Sequence, residues 1–291
     1  MINHIGQLKK VFLSPRNRKG RFQATFRSIR WYIYSRLYKR PQKISVFTKR
    51  SIWCHPNGFA ARSIMLFSEW SEYDSLKFLQ VFLRNGDQFL DVGSNIGLYS
   101  ILASETLSPG SIYCVEPGGT QRTRLKENLE LNQLHSITVY PFAVGEIATT
   151  EHFTKEDSVS HIATIGVTDS SGDFELVDVR RLDSFLPPTL FSLSKIDVEG
   201  HELSALRGAV GLIDKRLLPV LLIELNGSSE RYGIRASETI DFLRSKGYEF
   251  GIYHHDKCEI SLSETLWDDV LAFTHAGRLL IEDRIPGIRI A

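Results

Sequence analysis

Hydrophobic positions change period along this chain. Near the start they fall at Phe22, Phe26, Ile29, Ile33 and Leu37, the spacing of one helical face, and Pro41 ends that helix. From about residue 70 the pattern alternates between helical and strand periods. Trp70 to Leu83 reads as a helix stopped by Asn85-Gly86, Gln88 to Asp91 as a short buried strand, and Ile96 to Thr106 as a helix. Ser111 to Glu116, Thr120 to Leu131 and Ser136 to Pro141 follow as strand, helix and strand. Residues 142–190 lose the helical period and read as β-rich and looped, with Phe174 to Val179 as a strand and Ser170, Ser171 and Gly172 in a loop. The rhythm resumes with a strand at Leu193 to Asp197, a helix from about Gly200 and the apolar strand Pro219 to Leu225. A helix at Ser237 to Lys246 and strands at Tyr248 to Tyr253 and Asp269 to Thr274 close the chain.

Strands separated by helices of about ten residues predict right-handed crossovers and an open, doubly wound, mostly parallel sheet. In such sheets the ligand crevice lies beyond the carboxyl ends of the central strands. The residues to interrogate are therefore Asp91, Glu116, Phe142, Asp197 and Glu224.

Composition narrows the class. The 291 residues are 42% hydrophobic and 24% charged, enough for a sizeable core and too apolar for wholesale disorder. The longest apolar runs, such as Leu217 to Ile223, fall far short of the roughly 18 residues that span a bilayer. No secretory pattern follows Met1, and three cysteines without CxxC spacing argue against a disulfide framework or zinc ribbon. A cytoplasmic setting is expected.

The formal net charge of +1 hides a segregation. Residues 1–68 hold fifteen Lys or Arg and no acid, whereas the rest carries twenty bases and 34 acids, a net of −14. Residues 1–50 are read as a basic helical extension and 51–291 as the main domain, with a β-rich insertion at about 145–190. Arg21, Arg27, Arg30 and Arg36 interleave with the apolar face of the extension. Two readings follow: peripheral contact with a polyanion or the inner membrane face, or docking on the chain's own acidic domain or a dimer partner. Trp31, Tyr32, Tyr34 and Tyr38 read as packing groups rather than base-stacking ones, so nucleic acid is not expected as a partner.

The strand-ending acids say what the crevice holds. Asp91-Val-Gly93-Ser94-Asn95-Ile-Gly97 follows the first strand, and its glycines permit a tight turn. A nicotinamide fingerprint would need glycine where Asn95 and Leu98 stand. A carboxylate there repels pyrophosphate and welcomes an ammonium or sulfonium. Glu116 ends the second strand, placed to take both ribose hydroxyls of a nucleoside. An adenosine with a cationic centre and no phosphate satisfies both acids, which describes S-adenosylmethionine.

The segments Phe89-Leu-Asp-Val-Gly-Ser-Asn-Ile-Gly-Leu-Tyr-Ser100, Val115-Glu-Pro117, Lys126-Glu-Asn-Leu-Glu-Leu-Asn132, Ala143-Val-Gly145, Arg181-Leu-Asp-Ser-Phe-Leu186 and Lys195-Ile-Asp-Val-Glu-Gly-His-Glu202 together resemble the FkbM family of class I methyltransferases. The likeness runs from about residue 69 to 226, and the basic arm has no counterpart in it. It implies a seven-stranded Rossmann-like methyltransferase sheet with an antiparallel last strand, and O-methylation of a sugar, glycan or glycosylated small molecule. It also implies that Asp91 and Gly93 face the methionine end of the cofactor, with Ser94, Asn95 and Gly97 shaping the loop. Glu116 and Pro117 would serve the ribose, Phe142 and Ala143 the adenine, and Asp197 the reacting end.

Methyl transfer to a hydroxyl needs alignment and removal of a proton. Asp197, Glu199, His201 and Glu202 crowd the place where that proton leaves. An unperturbed histidine titrates near pH 6.5, which suits His201 as base. The alternatives are a histidine paired with Glu199 or Glu202, and Glu199 as base or loop brace. Asp197, Glu224 and Asn226 form a set of oxygen ligands that magnesium would accept, but direct binding of substrate hydroxyls is preferred and no metal is expected. Rival readings are methylation of a nitrogen or non-sugar hydroxyl, and a non-catalytic module held to a membrane or partner by the arm. The acceptor would be shaped by residues 51–72 and 145–190.

Overall fold

A computed structural model describes residues 11–13, 20–58, 72–155, 160–163, 174–263 and 268–291. The proposed helix start at Trp70, the Ser170–Gly172 loop, and most of residues 51–72 lie outside them. Before the main sheet come a helix α1 (Arg21–Leu37) and a hairpin of β1 (Gln42–Ser45) with β2 (Ser51–Cys54). The hairpin crosses residue 50. Its second strand is fixed to the body by two asparagines of the segment Lys126–Asn132. Asn128 accepts from the Trp53 N–H at 2.7 Å, and Asn132 accepts from Ser51 N–H at 3.0 Å.

The main sheet is built on β3 (Phe89–Val92), β4 (Ile112–Val115), β5 (Thr138–Tyr140), β9 (Leu193–Ile196), β10 (Val220–Leu225), β11 (Glu249–His254), β12 (Glu259–Leu262), β13 (Asp268–Phe273) and β14 (Arg289–Ile290). Its order is β14-β12-β11-β13-β10-β9-β3-β4-β5. Strands β5, β4, β3, β9 and β10 pair in parallel, and β13 runs antiparallel between β10 and β11. Seven strands thus have the expected arrangement. The correction is at one edge: β12 turns back on β11, and the chain's last residues add β14 beside it, giving nine strands. The order reverses between β3 and β9, so the crevice must open above their carboxyl ends.

The central strands are buried on both faces because helices cover both. Leu76, Phe78 and Phe82 of α2 (Tyr73–Phe82), Ile101 of α3 (Leu98–Ala103), Leu125 of α4 (Gly119–Leu131) and Ile281 of a helix at His275–Arg284 share one core with Trp31. The other face packs on Leu182, Leu206, Leu212 and Leu243. Between β5 and β9 a small sheet forms from β6 (Ala143–Val144), β7 (Thr149–Thr154) and β8 (Phe174–Arg180), so the irregular stretch is β-rich among its described residues. No helix of the described residues is long and apolar enough to cross a membrane.

The side chains of α1 that are buried are Ala24, Ser28 and Trp31, not the apolar set at 22, 26, 29, 33 and 37. Periodicity identifies which residues share a face. It does not say which face turns inward, and here two small residues let the helix approach closely while Trp31 fills the core.

Candidate active site

The turn after β3 is shaped by contacts that only glycine tolerates at two positions. Gly93 has φ +80°, and a Cβ on it would stand 1.7 Å from the Asp197 carbonyl oxygen. Gly97 has φ +87° at the start of α3, where a Cβ would meet Leu125 at 2.4 Å. Ser94 stitches the turn to its neighbours: its hydroxyl donates to the Asp91 carbonyl at 2.6 Å and accepts the Val115 N–H at 3.1 Å. The backbone of Asn95 is left-handed, φ +49°, a region that asparagine tolerates better than most residues. Its N–H donates to Glu116 Oε2 at 2.8 Å.

Glu116 is buried, and its other oxygen accepts the Gly118 N–H at 2.8 Å. Burial pushes its carboxyl up to about 7, against the pull of those two backbone bonds. Asp91 is buried too. Ser100 donates to its Oδ2 at 2.6 Å, while Oδ1 has no hydrogen-bond partner among the described residues. Burial raises Asp91 to about 6, with the Lys195 charge opposing. A buried acceptor without a donor is costly, and an incoming ammonium would relieve it.

The remaining residues proposed for the cofactor are placed as follows. Pro117 accepts a bond from Arg122 through its carbonyl and leads into α4. Phe142 lies just past β5, with the Arg180 guanidinium 3.6 Å from its ring centroid and Phe185 edge-on at 5.5 Å. Ala143 belongs to β6 and packs in the small-sheet core with Val177 and Val179.

Carboxylates gather at the carboxyl ends of β9 and β10, Asp197 and Glu199 past β9 and Glu224 within the last two residues of β10. Asp197, Glu199 and Glu224 each offer an oxygen within 4.8 Å of the others, close enough to share a cation or a polyhydroxylated ligand. Glu199 is left-handed at φ +53°, unusual for a residue with a long side chain. Burial first, then the Asp197 charge, raises Glu199 to about 7. Burial and the facing Asp197 carboxyl hold Glu224 well above the carboxylate range. Asn226, weighed as a third ligand, spends its Oδ1 on the Ser228 N–H at 2.9 Å, and Glu199 takes that place beside Asp197 and Glu224.

Glu202 braces the loop, accepting from the N–H of Gly200 at 2.9 Å and of Val198 at 3.2 Å. His201 is not paired with either glutamate. Its Nδ1 lies 3.1 Å from the Val144 carbonyl, and its ring meets Tyr232 edge-on at 5.3 Å. A carbonyl can only accept, so Nδ1 carries the proton and Nε2 keeps its lone pair. Burial lowers the histidine pKa, which keeps the ring neutral.

One residue had no role in the sequence reading. Lys195 is buried in β9, its ammonium 2.5 Å from Asp197 Oδ2 and 4.7 Å from the Tyr99 ring centroid. Burial disfavours its charge, but Asp197, Glu72, Asp91 and Asp269 outweigh that and raise its pKa. The available signal is a lysine in a four-residue strand between apolar ends, Leu193 and Ile196.

Comparison with known proteins agrees with the motifs. The family model for the methyltransferase FkbM domain matches residues 91–250, more than half the chain. No curated protein sequence matches. Among solved structures, a methyltransferase FkbM from Methylobacillus flagellatus is 18% identical with a TM-score of 0.45, covering 94% of this chain and 58% of that one. The chain therefore spans little more than half the length of that relative. A precorrin-6y C5,15-methyltransferase from Geobacter metallireducens is 14% identical, covering 70% and 89% at TM-score 0.39. A tRNA (uracil-54, C5)-methyltransferase from Pyrococcus abyssi, solved with S-adenosyl-L-homocysteine, is 12% identical, covering 81% and 44% at 0.41.

Proposed function

The chain belongs to the FkbM methyltransferase domain family, and from that premise we propose that it transfers a methyl group from S-adenosylmethionine to a hydroxyl of a sugar, glycan or glycosylated small molecule. The observation that carries this reading is the pairing of two unlike acidic places at one sheet edge. Asp91 and Glu116 flank the glycine turn, and Asp197, Glu199 and Glu224 gather at the carboxyl ends of β9 and β10.

The first place suits the cofactor. The unpartnered Asp91 Oδ1 takes the ammonium of the methionine end, and each Glu116 oxygen keeps a lone pair for a ribose hydroxyl. When bound, S-adenosylmethionine supplies an electrophilic methyl group on a sulfonium, which leaves as a neutral thioether. The second place suits a polyol. Carboxylates accept hydrogen bonds from vicinal hydroxyls, and a base must take the proton as the oxygen attacks.

Glu199 is the base in this reading. A carboxyl titrating near 7 is matched to proton abstraction at neutral pH. Asp197, anchored by Lys195, orients the hydroxyl. His201, neutral and with Nε2 unprotonated, is the alternative base. The test is to incubate the protein with S-adenosylmethionine and a panel of nucleotide sugars and glycan fragments. A product heavier by one methylene supports the reading; S-adenosylhomocysteine binding with transfer only to a nitrogen acceptor would overturn the hydroxyl assignment.

A further inference from the structure

We infer that α1 is a membrane-surface helix that lays its apolar stripe into an anionic lipid surface. The docking face and the stripe are separate. At 100° per residue, Phe22, Phe26, Ile29, Ile33 and Leu37 fall within about 80° of one another, on the side opposite Ala24, Ser28 and Trp31. The helix is thus held to the protein through one face while the other points away from it. Phe22 is 82% exposed, Phe26 67% and Leu37 70%. Phe12 meets Phe22 edge-on at 5.6 Å and Leu13 is also exposed, so the patch continues beyond the helix start. Contiguous exposed apolar surface of this kind marks an interaction site.

Charge selects the occupant. On the helical projection Arg30 and Arg36 border the stripe on opposite sides, both exposed, and exposed Lys39 and Arg40 follow its end. Residues 1–50 carry fourteen Lys or Arg and no acid. An apolar stripe edged by long cationic side chains is the pattern of a helix lying in the headgroup layer, with its apolar side chains among the acyl chains and its guanidinium groups at the lipid phosphates. A second copy meeting stripe on stripe would bring the arginines of two arms together with no acid on either arm to offset them.

The full-length protein is sedimented with vesicles of phosphatidylcholine alone or mixed with phosphatidylglycerol, at low and high salt. Binding to the mixed vesicles only, falling several-fold with salt as screening grows, is the expected result. Phe26→Ser with Ile33→Ser, and Arg30→Glu with Arg36→Glu, should each reduce binding several-fold with an unchanged melting temperature, since all four side chains are exposed. Failure to sediment with the mixed vesicles, or equal binding to both kinds, would overturn the inference. So would a dimer in solution that the Phe26→Ser, Ile33→Ser protein loses.

Discussion

The backbone N–H of Asn95 donates to Glu116 at 2.8 Å and so joins the first glycine turn to the end of the next strand. A single carboxylate thereby both holds the turn and offers its free lone pairs to a ligand. Glu116→Ala removes both functions. S-adenosylhomocysteine binding should weaken by roughly 1.5–3 kcal/mol through loss of charge-assisted bonds. Calorimetry on the folded variant decides, and unchanged affinity would detach Glu116 from the ribose.

Proton linkage gives a second expectation. Burial raises Asp91 to about 6 and Glu116 to about 7, so the folded, ligand-free protein keeps protons that the unfolded chain releases near pH 4. A raised carboxyl contributes stability that is complete below its unfolded pKa and is lost as pH rises through its folded one. Relative to Asp91→Asn, the wild type should lose roughly 2–3 kcal/mol between about pH 4 and 7. An ammonium at Asp91 and hydroxyls at Glu116 both favour the ionised forms. Ligand affinity should therefore increase from about pH 5 to 8 with proton release, read by calorimetry in two buffers of different ionisation heat. Proton uptake instead would contradict both assignments.

The parts of the site legible in the sequence are those that a local turn dictates. Asp91 is the penultimate residue of β3, Gly93, Gly97 and Glu116 follow strand ends, and strand ends in a doubly wound sheet face the crevice. What escaped depends on distant partners. Lys195 matters because carboxyls from β3, β13 and the approach to α2 converge on it, and no window of sequence contains them. The partner of His201 is a carbonyl 57 residues away, and no local window distinguishes that pairing from one with a neighbouring glutamate. Strands β12 and β14 are too short to show a period: β12 spans four residues and the edge strand β14 only two.

Catalysis separates the two candidate bases. With Glu199 as base, Glu199→Gln should lower kcat about a hundredfold while leaving cofactor affinity intact. The wild-type rate should increase with pH through about 7, as the carboxyl that burial has raised becomes ionised. His201→Ala should then cost much less. A reversed pattern, with His201→Ala silencing turnover and Glu199→Gln sparing it, would move the role to Nε2 of the histidine.

Lys195 offers the sharpest test of how the acidic edge is held together. Its ammonium is the buried counter-charge for Asp197, and Asp91, Asp269 and Glu72 also act on it. Methionine matches its length and apolar stem but has no charge. Lys195→Met would strand carboxylates in a place with little water, and breaking a buried pair from one side costs about 3–5 kcal/mol. The loss should depend on pH in a stated direction. Burial already raises Asp91 and Asp269 and the lysine charge opposes it, so without the ammonium these two rise further; the variant recovers as acid protonates them and is weakest at neutral and alkaline pH. Urea unfolding of both proteins at about pH 5 and pH 8 measures this. Equal stability of wild type and variant at the higher pH would mean that the four carboxyls do not need the lysine, and the electrostatic account of this edge would fall with it.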